Sequence, residues 1–383
     1  MDSNKITILK NKGLNIARKI QKYITLLIVL TTIFAYLARH INPDTTNIPQ
    51  YLGMFFPYLL FVDIIYTILL ICFKQKLSLI MMIITILVGL RPIMSTIQIN
   101  PVHFADDTKY SDIEDSSINI MTFNVRLLDK YNWIKSKSDT RQKIFEFLKY
   151  ESPDIVCFQE FYARYSDSIN NETIIQNMLD TKYVVRDYDP DEKWIHTDKG
   201  YLIFSKYKLS NKRYIVDSAN NINGITVDAD VYGKTIRIFN IHLKSIRLGY
   251  DDYNFIDSLN NKNNKEQFSG FQNIFRKVDN AYSERANQSI VIDSMIKASP
   301  YPVVVCGDFN DPPVSYTYNT VKGDLDDAFC ESGFGFCTTM KLKCFRFRID
   351  YILHSKEILS RGFKTHTEHL SDHFAVSCNI KLK

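Results

Sequence analysis

The chain has 383 residues, 45% of them hydrophobic and 23% charged, with 13 Gly and 11 Pro. That composition excludes a collagenous, low-complexity or mostly disordered protein, and at about 150 residues per domain the length allows one large folded unit or two ordinary ones. The net charge of +5 is unevenly held: residues 1–100 carry ten Lys/Arg against three Asp/Glu, and the rest carries 37 against 39. The basic surplus therefore lies in the most apolar part of the chain, which suits membrane orientation and supplies no basic surface for nucleic acid.

Three apolar runs fall in the first hundred residues, at about 20–38, 51–73 and 77–99. A spanning helix needs about 20 mainly apolar residues; the second run meets this outright, and the others need snorkelling of flanking Arg/Lys or a kink at Arg91-Pro92. The first run lacks a small-residue cleavage site before Arg39 and is followed by more apolar sequence, which argues against a cleaved signal peptide. Residues 1–100 thus read as a three-helix transmembrane anchor. Lys5, Lys10, Lys12, Arg18, Lys19 and Lys22 precede the first run, Lys74 and Lys76 join the second to the third, and only Arg39 lies between the first two. This bias places the N-terminus in the cytoplasm and everything beyond residue 100 on the extracytoplasmic, periplasmic side. Asp63 falls mid-run, where a charge needs a partner, and an intramembrane pair with Arg91 is expected.

Residues 101–117 hold Asp106, Asp107, Asp112, Glu114 and Asp115 and read as an acidic linker. From Ile118 to the end the pattern becomes short apolar strands alternating with helices. Strands are expected at 118–123, 154–158, 201–204, 225–231, 235–241, 303–306, 349–353 and 374–380, with helices at 142–150 and 282–298. Residues 251–270, rich in Asn and Asp, read as a loop. Seven scattered cysteines exclude a disulfide scaffold; Cys330, Cys337 and Cys344 are either one bridge or buried thiols, and no CxxC pair marks a zinc site.

Polar residues cluster where those strands end. Asn124 closes the first, Gln159 and Glu160 the second, Asn240 and His242 another; Asp308 and Asn310 follow the run Val303–Gly307, Asp350 lies within RIDY, and Asp372-His373 precedes the last strand. Strand ends and their loops are where α/β folds place reactive groups. A set of Asn, Glu and Asp without thiolate suits a hard, oxygen-seeking cation, Mg²⁺ or Mn²⁺. Phe309 separates Asp308 from Asn310, so on an extended segment both side chains would point to one side. Taken singly, each has an ordinary alternative: a turn cap for Asn124, Asp308, Asn310 and Asp372, a half-buried histidine for His242, a buried acid paired with Arg346 or Arg348 for Asp350. Asn240 is either a phosphate or water contact or a support. His40, His103, His196, His354, His366 and His369 are taken as surface or linker residues.

The ordered strings NIMTFNVR (119–126), DIVCFQE (154–160), GYLIFSKYKL (200–209), IRIFNIHLKS (236–245), VVVCGDFND (303–311), RIDYIL (348–353) and SDHFAV (371–376) resemble the endonuclease/exonuclease/phosphatase superfamily, the deoxyribonuclease-I-like fold. With the apolar N-terminus, the resemblance extends to its membrane-anchored bacterial members. It implies an α/β fold over 118–383, a four-layer sandwich of two mixed β-sheets flanked by helices. It implies metal-dependent hydrolysis of a phosphodiester or phosphomonoester in nucleic acid, a nucleotide or a lipid head group. Glu160, with Asn124 and Asp372, would hold Mg²⁺ or Mn²⁺. Asp308 would orient or deprotonate the attacking water, Asn310 and His242 would contact the phosphate, and Asp350 would orient His373. Arg126 stands where nucleases specialised for abasic DNA carry an acid, a departure from DNA repair. The expected partners are a phosphate-ester substrate and the bilayer, with no obligatory protein partner. The alternative is a catalytically silent, membrane-tethered binding module of the same fold.

Overall fold

The computed structural model describes residues 3–100, 116–131, 139–162, 164–166, 169–187, 200–246, 252, 255, 264–342 and 345–383. The chain divides into two compact units, Met1–Thr96 with Val314–Tyr316, and Ile97–Pro313 with Thr317–Lys383. Most of the acidic stretch 101–117, much of 251–270 and Cys344 lie outside the described residues.

The first unit contains α1 (Ser3–Leu37), α2 (Ile48–Met54), α3 (Phe56–Cys72), α4 (Lys76–Val88) and α5 (Leu90–Thr96). Among the described residues one helix, Lys12–Leu37 within α1, is by itself long and apolar enough to cross a membrane. The other two expected spans are each broken, by 72° between α2 and α3 and by 64° between α4 and α5, so three crossings result only if each bent pair is one span. The breaks have a local cause: Pro57 and Pro92 stand in the first turns of α3 and α5. Proline has no N–H to continue the preceding helix and disfavours helical backbone before it. Val29, Leu70 and Met82 bring α1, α3 and α4 together, and a polar seam runs beside them. Gln21 donates to Ser78 Oγ at 2.8 Å, the Thr25 and Tyr66 hydroxyls are 2.8 Å apart, and Thr32 Oγ1 donates to Asp63 Oδ2 at 2.9 Å. Asp63 therefore finds its partner on α1. The expected pair with Arg91 does not form: the bend at Gly89 takes Arg91 off the line of α4 and leaves it exposed.

The second unit contains twelve principal strands: β1 (Ile118–Asn124), β2 (Ile155–Gln159), β3 (Tyr183–Arg186), β4 (Leu202–Ser205), β5 (Lys208–Val216), β6 (Ile222–Val231), β7 (Lys234–His242), β8 (Val303–Asp308), β9 (Asp326–Asp327), β10 (Asp350–His354), β11 (Ile358–Thr365) and β12 (Val376–Leu382). They form two mixed six-stranded sheets, ordered β11-β12-β1-β2-β4-β3 and β9-β10-β8-β7-β6-β5. Each sheet has a single parallel pair, β1 with β2 and β7 with β8, among antiparallel neighbours. Parallel neighbours need a crossover. α6 (Thr140–Glu151) supplies one and α8 (Asn264–Lys297) the other.

Strand alternation sorts the apolar residues into three layers. Ile118 and Ile120 of β1, Ile155 and Cys157 of β2, Ile236 and Ile238 of β7, Val304 and Cys306 of β8 and Ile352 of β10 form the core between the sheets. Met121, Phe123, Val156 and Phe158 face Ile144, Phe145 and Leu148 of α6 and Ile175 of α7 (Asn171–Leu179). Phe239, Ile241, Val303 and Val305 face Ile292 of α8 and Val321 of α9 (Tyr316–Lys322). The result is the expected four-layer sandwich. The expected loop at 251–270 ends earlier than foreseen, because α8 already begins at Asn264. Cys330 and Cys337 are free thiols.

Candidate active site

The two parallel pairs end side by side in register: Asn124 lies opposite Gln159, and His242 opposite Asp308. Asp308 is also opposite Asp350 on its antiparallel side. The alternation that sends Ile120, Ile238, Cys306 and Ile352 into the intersheet core puts Asn124, His242, Asp308 and Asp350 on the same face. Polar groups thus replace apolar ones where that core reaches its edge. Glu160 is one residue beyond β2, in left-handed backbone at φ 50°. Its main chain is fixed by the Leu127 N–H, which donates to its carbonyl at 2.7 Å. Gly307 precedes Asp308 at φ 147°, where a Cβ would lie 2.0 Å from the Ile241 carbonyl oxygen; only glycine lets β8 approach β7 this closely.

Asp308 Oδ2 is the point of convergence. Asn310 Nδ2 donates to it at 3.1 Å and Asn124 Nδ2 at 3.2 Å; His242 Nε2 lies at 3.5 Å and His373 Nε2 at 3.6 Å. Asn124 Nδ2 and His242 Nε2 also reach Glu160 Oε1, at 3.3 and 3.6 Å. The other nitrogen of His373, Nδ1, is 3.0 Å from Asp350 Oδ2. Asp308, Asp350 and His373 lie close enough together to hold a metal ion as a candidate group. Asn310 reaches Asp308 by a different route from the expected extended alternation: it is itself left-handed, φ 53°, and its N–H donates to Asp308 Oδ1 at 2.8 Å. Asp372 lies further out, its carboxylate 3.3 Å from Arg126 Nε, with both side chains about one-third exposed.

These groups shift one another's protonation. Burial pushes the Asp308 carboxyl up to about 7, with His373 pulling it down and Asp350 adding to the rise. Burial also raises Glu160, against the opposing charge of His373. For His373 burial works to lower the pKa, and the charges of Asp350 and Asp308 overcome it and hold the imidazole well above its ordinary 6.5. The arrangement joins a carboxylate near its midpoint at neutral pH to an imidazole that keeps its proton, the complementary pair acid–base chemistry requires.

Other residues take places that their surroundings explain. Asn240 is a support: it donates to the Phe158 and Leu202 carbonyls at 2.9 and 3.1 Å and accepts from Gln159 at 2.7 Å, tying the sheets together beneath the site. Arg348 pairs with Asp327, leaving Asp350 to His373. His354 and His366 are buried, against the surface expectation, because Glu331 and Glu151 lie 3.1 and 3.3 Å from their rings. His40 and His369 are exposed; His103 and His196 are outside the described residues. Thr339 and Tyr201 have no signal in the sequence pattern. Thr339 Oγ1 accepts the Asp350 N–H at 3.0 Å, and the Tyr201 hydroxyl donates to the His242 carbonyl at 3.3 Å.

Residues 121–373 match the family model described as the Endonuclease/Exonuclease/phosphatase family. The chain belongs to that family. Endonuclease/exonuclease/phosphatase proteins are phosphoester hydrolases that generally use divalent metals. Residues 18–96 match a second model, described as a domain of unknown function. Among solved structures, the family member from Bacteroides vulgatus is 18% identical, with a TM-score of 0.49 over 70% of this chain and 99% of that one. The human Nocturnin catalytic domain with bound sulfate anion is 20% identical (TM-score 0.46; 70% and 95% covered), and truncated TDP2 of Caenorhabditis elegans 14% (TM-score 0.46; 71% and 100%). No curated protein matches the chain.

Proposed function

We propose that this chain is a membrane-anchored, Mg²⁺- or Mn²⁺-dependent phosphoesterase. Its organisation would be an anchor over 1–100, a linker over 101–117 and the hydrolase over 118–383. The observation that carries the reading is the convergence of nitrogens from Asn124, His242, Asn310 and His373 on Asp308 Oδ2, with Glu160 sharing two of them. Asn310 and Asn124 hold that carboxylate in place, and the imidazoles of His242 and His373 beside it would stabilise the charge that develops on a phosphate bound next to it.

The donor set fits a hard divalent cation: Glu160, Asp308, Asp350 and Asp372 offer carboxylate oxygens, no thiolate is among them, and Asp308 and Asp350 with His373 lie close enough together to ligate one ion. Glu160, helped by Asn124 and Asp372, would hold the ion, which supplies positive charge to the phosphate and to the departing oxygen. Asp308 accepts the proton of the attacking water. Asn310, bonded to Asp308 Oδ2 and to the Leu243 carbonyl, orients that carboxylate. His242 donates to the phosphate, and His373, held by Asp350, contributes a full positive charge and a proton.

The substrate is a phosphate ester met outside the cytoplasm: nucleic acid, a nucleotide or a lipid head group. One crossing or three would put the hydrolase opposite the Lys/Arg-rich N-terminus, and two, with one bent pair not crossing, would return it to the cytoplasm. A reporter fused after Ile99 reads this directly, and cytoplasmic activity would reverse it. The activity test is turnover of bis-p-nitrophenyl phosphate by the full chain in detergent with EDTA, Mg²⁺ or Mn²⁺. Metal-dependent hydrolysis that Asp308→Ala lacks is expected. Turnover that survives EDTA or the substitution, or none with either metal, would overturn the proposal.

A further inference from the structure

α8 lies outside the catalytic constellation, yet two of its buried polar residues grip the backbone that carries it. Arg285 and Gln288 are one turn apart on a single helix face, and both are almost fully enclosed. Gln288 Oε1 accepts the N–H of Lys244 at 3.0 Å, and Arg285 Nη1 donates to the carbonyl of the same residue at 2.9 Å. Both polar groups of one residue, two beyond His242, are thus held by one helix turn. Arg285 also closes on the other strand end, with Nε 3.0 Å from Asp311 Oδ2 and Nη2 donating to Asp311 Oδ1 at 3.2 Å.

Lys244 and Asp311 flank the groups that orient the base. Leu243 donates its N–H to the Asp308 carbonyl at 2.9 Å and accepts the Asn310 side-chain amide at 3.0 Å. Asn310, in left-handed backbone, stands between Asp308 and Asp311. A shift of Lys244 or Asp311 would therefore move Asn310, the residue that donates twice to the Asp308 carboxylate. Gln288 is itself immobilised, its Nε2 donating to Asn223 Oδ1 at 2.8 Å. Arg285 lies over the Tyr282 ring, 4.9 Å from its centre.

We infer that Arg285 and Gln288 are positioning residues that hold the ends of β7 and β8 in the register at which Asn310 orients Asp308. The inference rests on the hydrolase reading, so the test has one arm that needs no turnover. Arg285→Lys keeps the charge but not the planar fork, and Gln288→Leu keeps the bulk without the bonds. Ile292→Val, in the same helix and packed in the outer core of β7 and β8, is the control for simple destabilisation. In the full chain in detergent, hydrogen exchange across 240–246 and 306–312 is expected to rise in the first two variants and not in the control. With bis-p-nitrophenyl phosphate, each should lose at least about tenfold in kcat with KM within about twofold, because misplacement lowers the rate more than binding. Unchanged exchange in those segments, or a loss of kcat that Ile292→Val reproduces, would overturn the inference. Absence of turnover in the wild type would instead overturn the hydrolase reading and leave the exchange result to decide this one.

Discussion

Replacing Asp350 by Asn asks whether His373 acts as a cation. Asp350 Oδ2 lies 3.0 Å from His373 Nδ1, and Asp308 Oδ2 3.6 Å from Nε2. Burial by itself favours the neutral ring; Asp350 is the largest influence in the other direction. A unit charge 3–4 Å away is worth about 4–6 kcal/mol at an effective dielectric near 20, so its removal shifts the balance back toward burial. The ring's pKa is then expected to fall, with Asp308 still opposing the loss, and Asp308 facing a neutral ring can take up a proton instead of remaining an isolated charge. The stability loss is therefore that of a charge-assisted hydrogen bond, about 1.5–3 kcal/mol, and not the larger cost of an orphaned ion. Its pH dependence has a definite sign. A histidine raised in the folded state contributes fully below its unfolded pKa and stops contributing as pH rises through the folded one. The gap between wild type and Asp350→Asn should thus be widest in acid and shrink in alkali.

The catalytic effect is larger. Loss of one preorganised charge at the reacting phosphate typically costs 10²–10³-fold in kcat, about 2.7–4 kcal/mol, with KM expected to move little. Turnover of bis-p-nitrophenyl phosphate between pH 5 and 9, denaturant unfolding over the same range and the NMR titration of the His373 ring measure all three quantities. A variant whose ring is neutral at pH 7 and which still keeps a tenth of the wild-type kcat would refute the role given to the imidazolium. A ring that remains protonated without Asp350 would refute the electrostatic argument behind it.

Glu331 is held down to about 2 despite its burial, through hydrogen bonds with His354 and Ser360. A depressed carboxylate stabilises above its unfolded pKa and ceases to as pH falls through the folded one, so Glu331→Gln should cost about 2 kcal/mol at pH 7 after allowance for partial exposure and almost nothing near pH 2, as read by urea unfolding. Thr32→Val removes the hydroxyl that donates to Asp63 at 2.9 and 3.1 Å; a loss of about 1 kcal/mol of helix-packing stability in detergent is expected, and an unshifted melting temperature would mean that the bond carries none. Arg126→Ala breaks an ion pair about one-third exposed on both sides and should change unfolding stability by less than about 1 kcal/mol. Asn240→Leu removes the side-chain donor to the Phe158 and Leu202 carbonyls and one of the acceptors of the Gln159 amide, which keeps Thr122, and a loss of about 2–3 kcal/mol in urea unfolding is expected.

The strands most readily read from the sequence are those buried on both faces. Val303–Cys306 is an unbroken apolar run because one side meets the opposite sheet and the other meets α8 and α9, and Ile236–Ile241 is apolar except at Arg237 and Asn240. β5 was not visible as a strand: it is an edge whose side chains are mostly exposed, so Lys208–Val216 has little apolar alternation. β11 escaped because its register shifts between Arg361 and Lys364, which breaks the period of two. The candidate site residues stood out as polar residues ending apolar strands, a pattern that needs no knowledge of their contacts. Arg285, Gln288, Thr339 and Tyr201 could not be found in that way, since each bonds to a main-chain group and no residue-type pattern marks such a partner. The expected Asp63–Arg91 pair supposes a continuous third helix, and the bend between α4 and α5 falls just before Arg91.

The position of the site follows from two crossovers. Each sheet has one parallel pair, and both pairs end at the same edge of the intersheet core, so the last inward-facing residues Asn124, His242 and Asp308 meet there, with Asp350 opposite Asp308 on the neighbouring strand. Placing Asp308 and Asp350 deep and Glu160 beside them brings three acids together with His373 as the principal compensating cation. In an apolar core that imbalance would be intolerable, and at the core's edge it is borne by raised carboxyl pKa values. Burial is the main cause of that rise: it lifts Asp308 to about 7 against the opposing charge of His373, a range that suits the general-base role proposed for it. Burial thus raises the Asp308 and Glu160 carboxyls together, and a mutation that opened this edge to water should lower both.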